Sequence, residues 1–381
     1  MSVKKAIRLA VSLIRAKLAY WGVGVCVKPI TLTFSVTNRC QSRCKTCKIW
    51  EIYRKEPDKR FTELALDEIE KTFKSLKNIY FFNVSGGEPF LRGDLPEIIE
   101  LASIHLEPAI YHIPTNALAP DRIEKQTSRI LEIIIKNTPD SILTVKPSLD
   151  GLEDLHDQIR GVKDNFKKVE DTTKRLLGLS HQHDNLLIEL GTVISKNNVE
   201  RLEPLIDYVH SLGVQSYRHE IAEERFEFKN FGDGIAPSEE DYLRLIKFFK
   251  RKTLDSLRNN KKKYTKITEL LRIIYYDLAY EIVSKKKQVI PCYAGITNIH
   301  LDPYGEVWCC CVKGDELSLG NIRDFDYDIS SIINSKHAKS IRESIKRKEC
   351  YCPLANQAYS NILLNPVYLL KRLPGIFLQK S

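Results

Sequence analysis

Three cysteines, Cys40, Cys44 and Cys47, are separated by three and then two residues. They follow an apolar, strand-like run at residues 30–36, so one loop can bring three thiolates to a point. A closed structural zinc site takes four ligands, which makes three an odd number for zinc. A four-iron four-sulfur cluster takes one thiolate per iron, so three thiolates leave one iron open to a substrate or cofactor. Two blander readings stand beside this one: a zinc knuckle with its fourth ligand elsewhere, and buried thiols without metal. Arg43, Lys45 and Lys48 make the loop too polar for a core. Positive charge of this kind stabilises thiolates.

The chain has ten cysteines, and most fall in clusters, at 40–47, 292–311 and 350–352. In a long chain this favours metal ligation in a reducing compartment over a disulfide framework. Cys26 stands apart and reads as a packed free thiol. In the later cluster, short strand-like runs at 299–301 and 307–309 flank Asp302-Pro303-Tyr304-Gly305, a hairpin signature. Cys309, Cys310 and Cys311 follow one another. Adjacent strand residues point to opposite faces, so Cys309 and Cys311 should face away from Cys310.

The elements that must position the first loop alternate in type. Strand-like runs lie at 31–36, 79–85, 109–114, 142–149, 186–194 and 216–220. Helix-like runs separate them, one marked by the stripe Leu66, Ile69, Phe73 and Leu76. This order predicts an α/β fold with a parallel sheet and outer helices. Six units are too few for an eight-fold barrel and suit an open, partial (β/α)6 TIM-like barrel. Chemistry in such barrels sits at the C-terminal strand ends, where the cysteine loop falls. Residues 221–290 break the rhythm, with helices expected after Ser238 and over 267–283. Between them Lys261-Lys262-Lys263 reads as a solvated charge run or an anion patch. The expected layout is an N-terminal amphipathic helix at 1–28, the barrel at 29–220, a helical connection at 221–290, a cysteine-rich domain at 291–355 and an amphipathic tail at 356–381.

The cysteine spacing resembles the cluster loop of radical S-adenosylmethionine (radical SAM) enzymes. Ser85-Gly86-Gly87-Glu88-Pro89, after the second strand, is similar to that family's GGEP motif. Ser148-Leu149-Asp150-Gly151 and His156-Asp157-Gln158-Ile159-Arg160-Gly161 resemble segments of its peptide-modifying members. The resemblance implies a 4Fe–4S cluster on Cys40, Cys44 and Cys47 whose open iron holds S-adenosylmethionine. It implies that Gly86, Gly87, Glu88 and Pro89 hold the amino group, the glycines letting backbone approach the ligand. Asn116, Ser148 and Asp150 would face the nucleoside or methionine, and Arg160 would meet the carboxylate. His156 reads as structural, and the Val193 backbone as an adenine edge.

Cys292, Gly305 and Cys310 match the opening pattern of the SPASM and related twitch domains, which bind auxiliary clusters. Cys350 and Cys352 would complete a second 4Fe–4S cluster; a tetrahedral zinc site is the competing account. The function implied is reductive cleavage of S-adenosylmethionine to a 5′-deoxyadenosyl radical, which takes hydrogen from a peptide or small molecule. A flavodoxin- or ferredoxin-type donor would supply the electron. A non-catalytic iron–sulfur carrier and a zinc-binding protein are the alternatives of another class.

Composition is ordinary, with 43% hydrophobic and 28% charged residues and a net charge of +10. Charge spread along the chain does not choose a partner, and nucleic acid is not expected. No signal peptide is legible, and no run approaches the roughly 20 apolar residues that span a bilayer. A cytoplasmic protein is expected. Both ends are greasy and basic. Over residues 3–21, Lys4, Lys5, Arg8, Ser12 and Arg15 share one side and Ile7, Val11, Ile14 and Leu18 another. Such a helix caps the core, or lies in a membrane interface with its basic residues on anionic headgroups and Trp21 at the boundary. With the similar tail at 362–380, this raises peripheral membrane contact and a lipid or isoprenoid substrate.

Overall fold

The computed structural model describes residues 3–259 and 263–378. Lys261 and Lys262 of the charge run lie outside the described residues, as does Lys380 of the tail. Six parallel strands run in order: β1 (Thr31–Ser35), β2 (Phe81–Ser85), β3 (Ile110–Thr115), β4 (Ile142–Pro147), β5 (Leu186–Ile194) and β6 (Ser216–Ile221). Each pairs with its neighbour in sequence, and helices such as Leu66–Leu76, Leu95–His105 and Pro120–Asn137 cover the outside. Strands this apolar on both faces need cover on both. Leu32, Phe34, Phe82, Val84, Tyr111, Ile113, Leu143, Val145 and Ile188 are all fully buried in one core. This is the α/β partial barrel expected.

The sheet does not stop at β1. β7 (Asn298–Leu301) pairs with it in parallel, from Thr31 opposite Asn298 to Phe34 opposite Leu301. β8 (Glu306–Trp308) and β9 (Ser318–Asn321) then continue antiparallel. The hairpin read from the sequence is therefore an extension of the barrel sheet. The physical reason is the open edge of β1, whose backbone donors and acceptors need partners when buried. The hairpin turn also reaches the cysteine loop. Asn38 Nδ2 donates to the Tyr304 hydroxyl at 3.0 Å, and Leu64 N donates to Pro303 O at 2.8 Å.

Residues 221–290 form two long helices, Glu239–Asn259 and Lys263–Lys285. Their buried faces, including Leu245, Phe249, Ile273, Tyr276 and Ile282, make a second core with β5, β6 and the helix Leu202–Ser211.

The N-terminal helix Val3–Trp21 docks by its polar side, the reverse of a helix that caps the core with its apolar stripe. Its basic residues turn inward. Lys5 Nζ donates to Ser141 Oγ at 2.9 Å, and Arg8 Nη2 to the carbonyls of Ile79 and Glu107 at 3.0 and 2.7 Å. Lys17 Nζ donates to the Tyr293 hydroxyl and to Leu364 O at 2.9 and 2.7 Å. Ile7, Val11, Ile14 and Trp21 are 56–64% exposed. Bare carbonyls at the barrel floor want donors more than the core wants another apolar stripe, so the polar side docks.

Candidate active site

The cysteine loop is held by backbone, strand by strand. Beyond β1 the chain runs beside the segment beyond β2: Gly87 N donates to Thr37 O at 2.6 Å and Glu88 N to Arg39 O at 2.7 Å. A Cβ on Gly86 would lie 2.2 Å from Thr37 O, and one on Gly87 2.3 Å from Arg39 O. The two glycines are thus required by the loop's own backbone, while both also line the cavity beside it. On the far side, Arg43 N donates to Arg160 O and Lys45 N to Ile159 O, both at 2.9 Å. Gly161 takes φ +65° there, with no room for a Cβ against Arg43 O. The helix Glu153–Arg160 therefore ends on the cysteine loop. Lys48 N donates to Phe228 O and Asn230 Nδ2 to Thr46 O, which closes the loop's exit.

Cys40, Cys44 and Cys47 line one cavity of about 240 Å³ at the C-terminal ends of the strands. Gly86, Gly87, Glu88, Asn116, Ser148, Arg160 and Val193 line the same cavity. Pro89 and Asp150 do not. Pro89 starts a short 3-10 turn, and Asp150 is buried behind the wall as a support. Its carboxylate receives Arg160 Nη2 at 2.7 Å and Val193 N at 2.8 Å. His156 Nδ1 accepts from Asp150 N at 3.0 Å, so His156 is structural.

Nitrogen donors already face the sulfurs. Arg160 Nη1 stands 3.8 Å from Cys44 Sγ and Asn116 Nδ2 3.7 Å from Cys40 Sγ. Burial raises the Cys40 thiol to about 12, so it stays protonated until a metal ionises it. Glu88 is 2% exposed and accepts from Thr115 Oγ1, Asn116 N and Phe90 N. Burial outweighs those bonds and raises its carboxyl to about 7. Ser42 Oγ, in the cavity wall, is buried without a partner among the described residues. Three thiols, donors aimed at them and an orphaned hydroxyl suit an open-site cluster with a polar cofactor. They do not suit a closed zinc knuckle.

The inner wall holds residues that sequence reasoning passed over. Lys146, Arg218, Glu220, Glu223 and Arg225 face the same cavity. Arg225 Nη2 binds Glu223 Oε2 at 2.7 Å, while Glu223 Oε1 is buried with no partner among the described residues. Burial raises the Glu223 carboxyl, so it can take a proton from a bound molecule. The signal was present: Lys146, Arg218 and Glu220 are charges inside strand-like runs.

Cys292, Cys310, Cys350 and Cys352 line a second, smaller cavity of about 40 Å³, otherwise mainly apolar. Burial raises Cys292 to about 12 and Cys310 to about 11. Of the three consecutive cysteines only Cys310 reaches this cavity. Cys309 packs behind Gly295 near Arg342. Cys311 faces Glu227 and His300.

The Radical SAM superfamily model matches residues 34–209, and the SPASM iron–sulfur cluster-binding domain matches residues 292–353. The chain carries a radical SAM domain and a SPASM domain. Such a pair of domains works with a 4Fe–4S cluster, S-adenosylmethionine and further iron–sulfur. Among relatives, the subtilosin biosynthesis protein AlbA of Bacillus subtilis is 21% identical over 81% of this chain. This chain spans 60% of AlbA's length. An uncharacterised protein of Methanocaldococcus jannaschii, MJ0907, is 25% identical over 77% of the chain and 88% of its own. The mycofactocin maturase MftC of Mycolicibacterium smegmatis is 23% identical over 46% of the chain and 40% of its own. Among solved structures, anSMEcpe with bound AdoMet and a peptide superposes with a TM-score of 0.58 at 15% identity, covering 92% of this radical SAM chain and 98% of its own. SuiB of Streptococcus suis gives 0.57 at 16%, covering 86% and 70%. At these identities the superpositions speak for the fold alone.

Proposed function

We propose that this enzyme modifies a ribosomally made peptide by removing a hydrogen atom from an unactivated carbon. The observation that carries this reading is the convergence of Cys40, Cys44 and Cys47 with Glu88, Ser148 and Arg160 on one cavity. Bound there, the cluster and S-adenosylmethionine supply a 5′-deoxyadenosyl radical. The chain's residues do the rest. Cys40, Cys44 and Cys47 hold the cluster, and Arg160 and Asn116 direct N–H groups at its sulfurs. Gly86–Glu88 and Ser148 position the cofactor, while Asp150 keeps Arg160 in place. Glu223 accepts a proton or an N–H from the substrate. Cys292, Cys310, Cys350 and Cys352 hold the second cluster, and a flavodoxin- or ferredoxin-type protein delivers the electron. A peptide is favoured over a small molecule because relatives are named as a PqqA peptide cyclase, a mycofactocin maturase and a bacteriocin biosynthesis protein.

Anaerobic reconstitution tests it. About eight irons per chain are expected, with 5′-deoxyadenosine released on adding S-adenosylmethionine and dithionite. A colourless chain with stoichiometric zinc would overturn the reading.

A lipid or isoprenoid substrate is the second reading, with the enzyme cytoplasmic and seated peripherally on a membrane. What favours it is the outward apolar stripe of Val3–Trp21 beside exposed Val367 and Leu370. Neither residues 1–50 nor residues 350–381 contain an Asp or Glu, so both ends suit an anionic surface. Among the described residues no helix is long and apolar enough to cross a membrane. The wild type should float with vesicles containing phosphatidylserine, and the double variant Ile7→Glu, Ile14→Glu should stay in the soluble fraction. Equal flotation of the two would remove the membrane seat and leave the radical chemistry untouched.

A further inference from the structure

Between the two cysteine cavities lies a third group of metal-binding side chains. Glu227, His300 and Cys311 come from three separate segments: the stretch after β6, strand β7 and the turn after β8. Their ligand atoms all lie within 4.8 Å of one another. All three residues are at least nine-tenths buried, at 8, 3 and 8% exposure. Together they line a cavity of about 70 Å³, room for an ion with a water.

The charges leave a gap that an ion would fill. Glu227 is a buried carboxylate, and among the described residues no Lys or Arg nitrogen lies within 4 Å of it. Its polar neighbours are His300 Nε2 at 3.6 Å and the hydroxyls of Ser35 and Ser85, which donate to Oε1 at 3.0 and 3.2 Å. Arg225, close enough to bear on both Glu227 and Cys311, is bound to Glu223 at 2.7 Å and faces Glu220 at 3.6 Å. A divalent ion with one carboxylate, one thiolate and one neutral imidazole forms a set of zero net charge, the least costly kind to bury.

We propose that Glu227, His300 and Cys311 bind one divalent transition-metal ion, zinc(II) in the first instance, apart from either cluster. A sulfur, a nitrogen and an oxygen donor suit a borderline ion. Three protein ligands leave the fourth tetrahedral position open, the arrangement of reactive rather than structural zinc. The open position faces the substrate, because this cavity shares Ser85, Arg225 and Asn356 with the larger one. Ser35 Oγ now stands 2.8 Å from His300 Nε2. On binding, Ser35 releases His300 and keeps its bond to Glu227, orienting the carboxylate from behind. The ligand class for the open position is a thiolate, carboxylate or hydroxyl of the substrate, which the ion would fix beside the radical's cavity.

The test uses the full chain with both clusters reconstituted, given one equivalent of zinc(II) and then desalted. The expected result is about one retained zinc per chain. His300→Ala and Cys311→Ser should each lower retention at least tenfold, with iron content and cluster absorbance unchanged. Zinc K-edge spectra of the wild type should show one sulfur at about 2.3 Å with the remaining ligands nitrogen or oxygen. Loss of all zinc on desalting, equal retention in the variants, or a four-sulfur shell would each overturn the proposal. The spectrum needs no variant to fold. Iron and zinc are counted separately, so failure of this site and failure of the cluster assignment give different results.

Discussion

Cys44→Ala is expected to abolish release of 5′-deoxyadenosine, to below the detection limit of an anaerobic assay with dithionite. Cys44 occupies the middle of the loop, between two backbone anchors at Arg43 and Lys45 on the helix Glu153–Arg160. Its sulfur faces Arg160, the one guanidinium that Asp150 holds at 2.7 Å. Without it only Cys40 and Cys47 remain, and two thiolates do not retain a four-iron cluster. Iron should fall from about eight to about four per chain. The brown absorbance of the second cluster should persist, because its four sulfurs line a separate cavity. Cleavage surviving in this variant would mean that another residue completes the tripod.

The second large effect is expected at a residue with no side chain. Gly87→Ala puts a Cβ 2.3 Å from Arg39 O and 2.7 Å from its carbonyl carbon. Both are backbone atoms of the cysteine loop's entry, so no rotamer relieves the overlap. The loop must move, or the Gly87–Thr37 and Glu88–Arg39 hydrogen bonds must break. Overpacking of this kind costs about 1–3 kcal/mol, and more where only backbone can yield. The expected outcome is a lowered melting temperature together with loss of about half the iron. Gly93→Ala is the control: a Cβ there meets nothing within 4 Å. Its iron content should equal the wild type. An iron-replete, normally stable Gly87→Ala protein would show that the loop does not depend on this strand contact.

The strands are legible because each is a short run rich in β-forming residues, and β5 occupies the whole run at 186–194. The cysteines were legible because ligand spacing within one loop is a local property. What escaped was long-range. Lys146 meets Glu220 across β5, and His112, Arg218 and Arg272 converge on Glu189 from three elements. No window of sequence contains those pairs. The amphipathic pattern at Val3–Trp21 gave two faces but not which one docks, since that depended on carbonyls of Ile79 and Glu107 far along the chain. The close approach of Gly86 and Gly87 to Thr37 and Arg39 is likewise a contact between distant segments. The pairing of β7 with β1 was hidden for the same reason.

That pairing bears on how the enzyme is made. A ribosome releases the chain N-terminus first, so β1 waits with one bare edge until residue 301 has emerged. The cysteine loop waits with it, because Phe228, Asn230 and Tyr304 brace it only after they too have been synthesised. Iron delivered to a nascent chain would meet an unbraced loop. Full bracing of the loop is thereby tied to residues made as late as Tyr304.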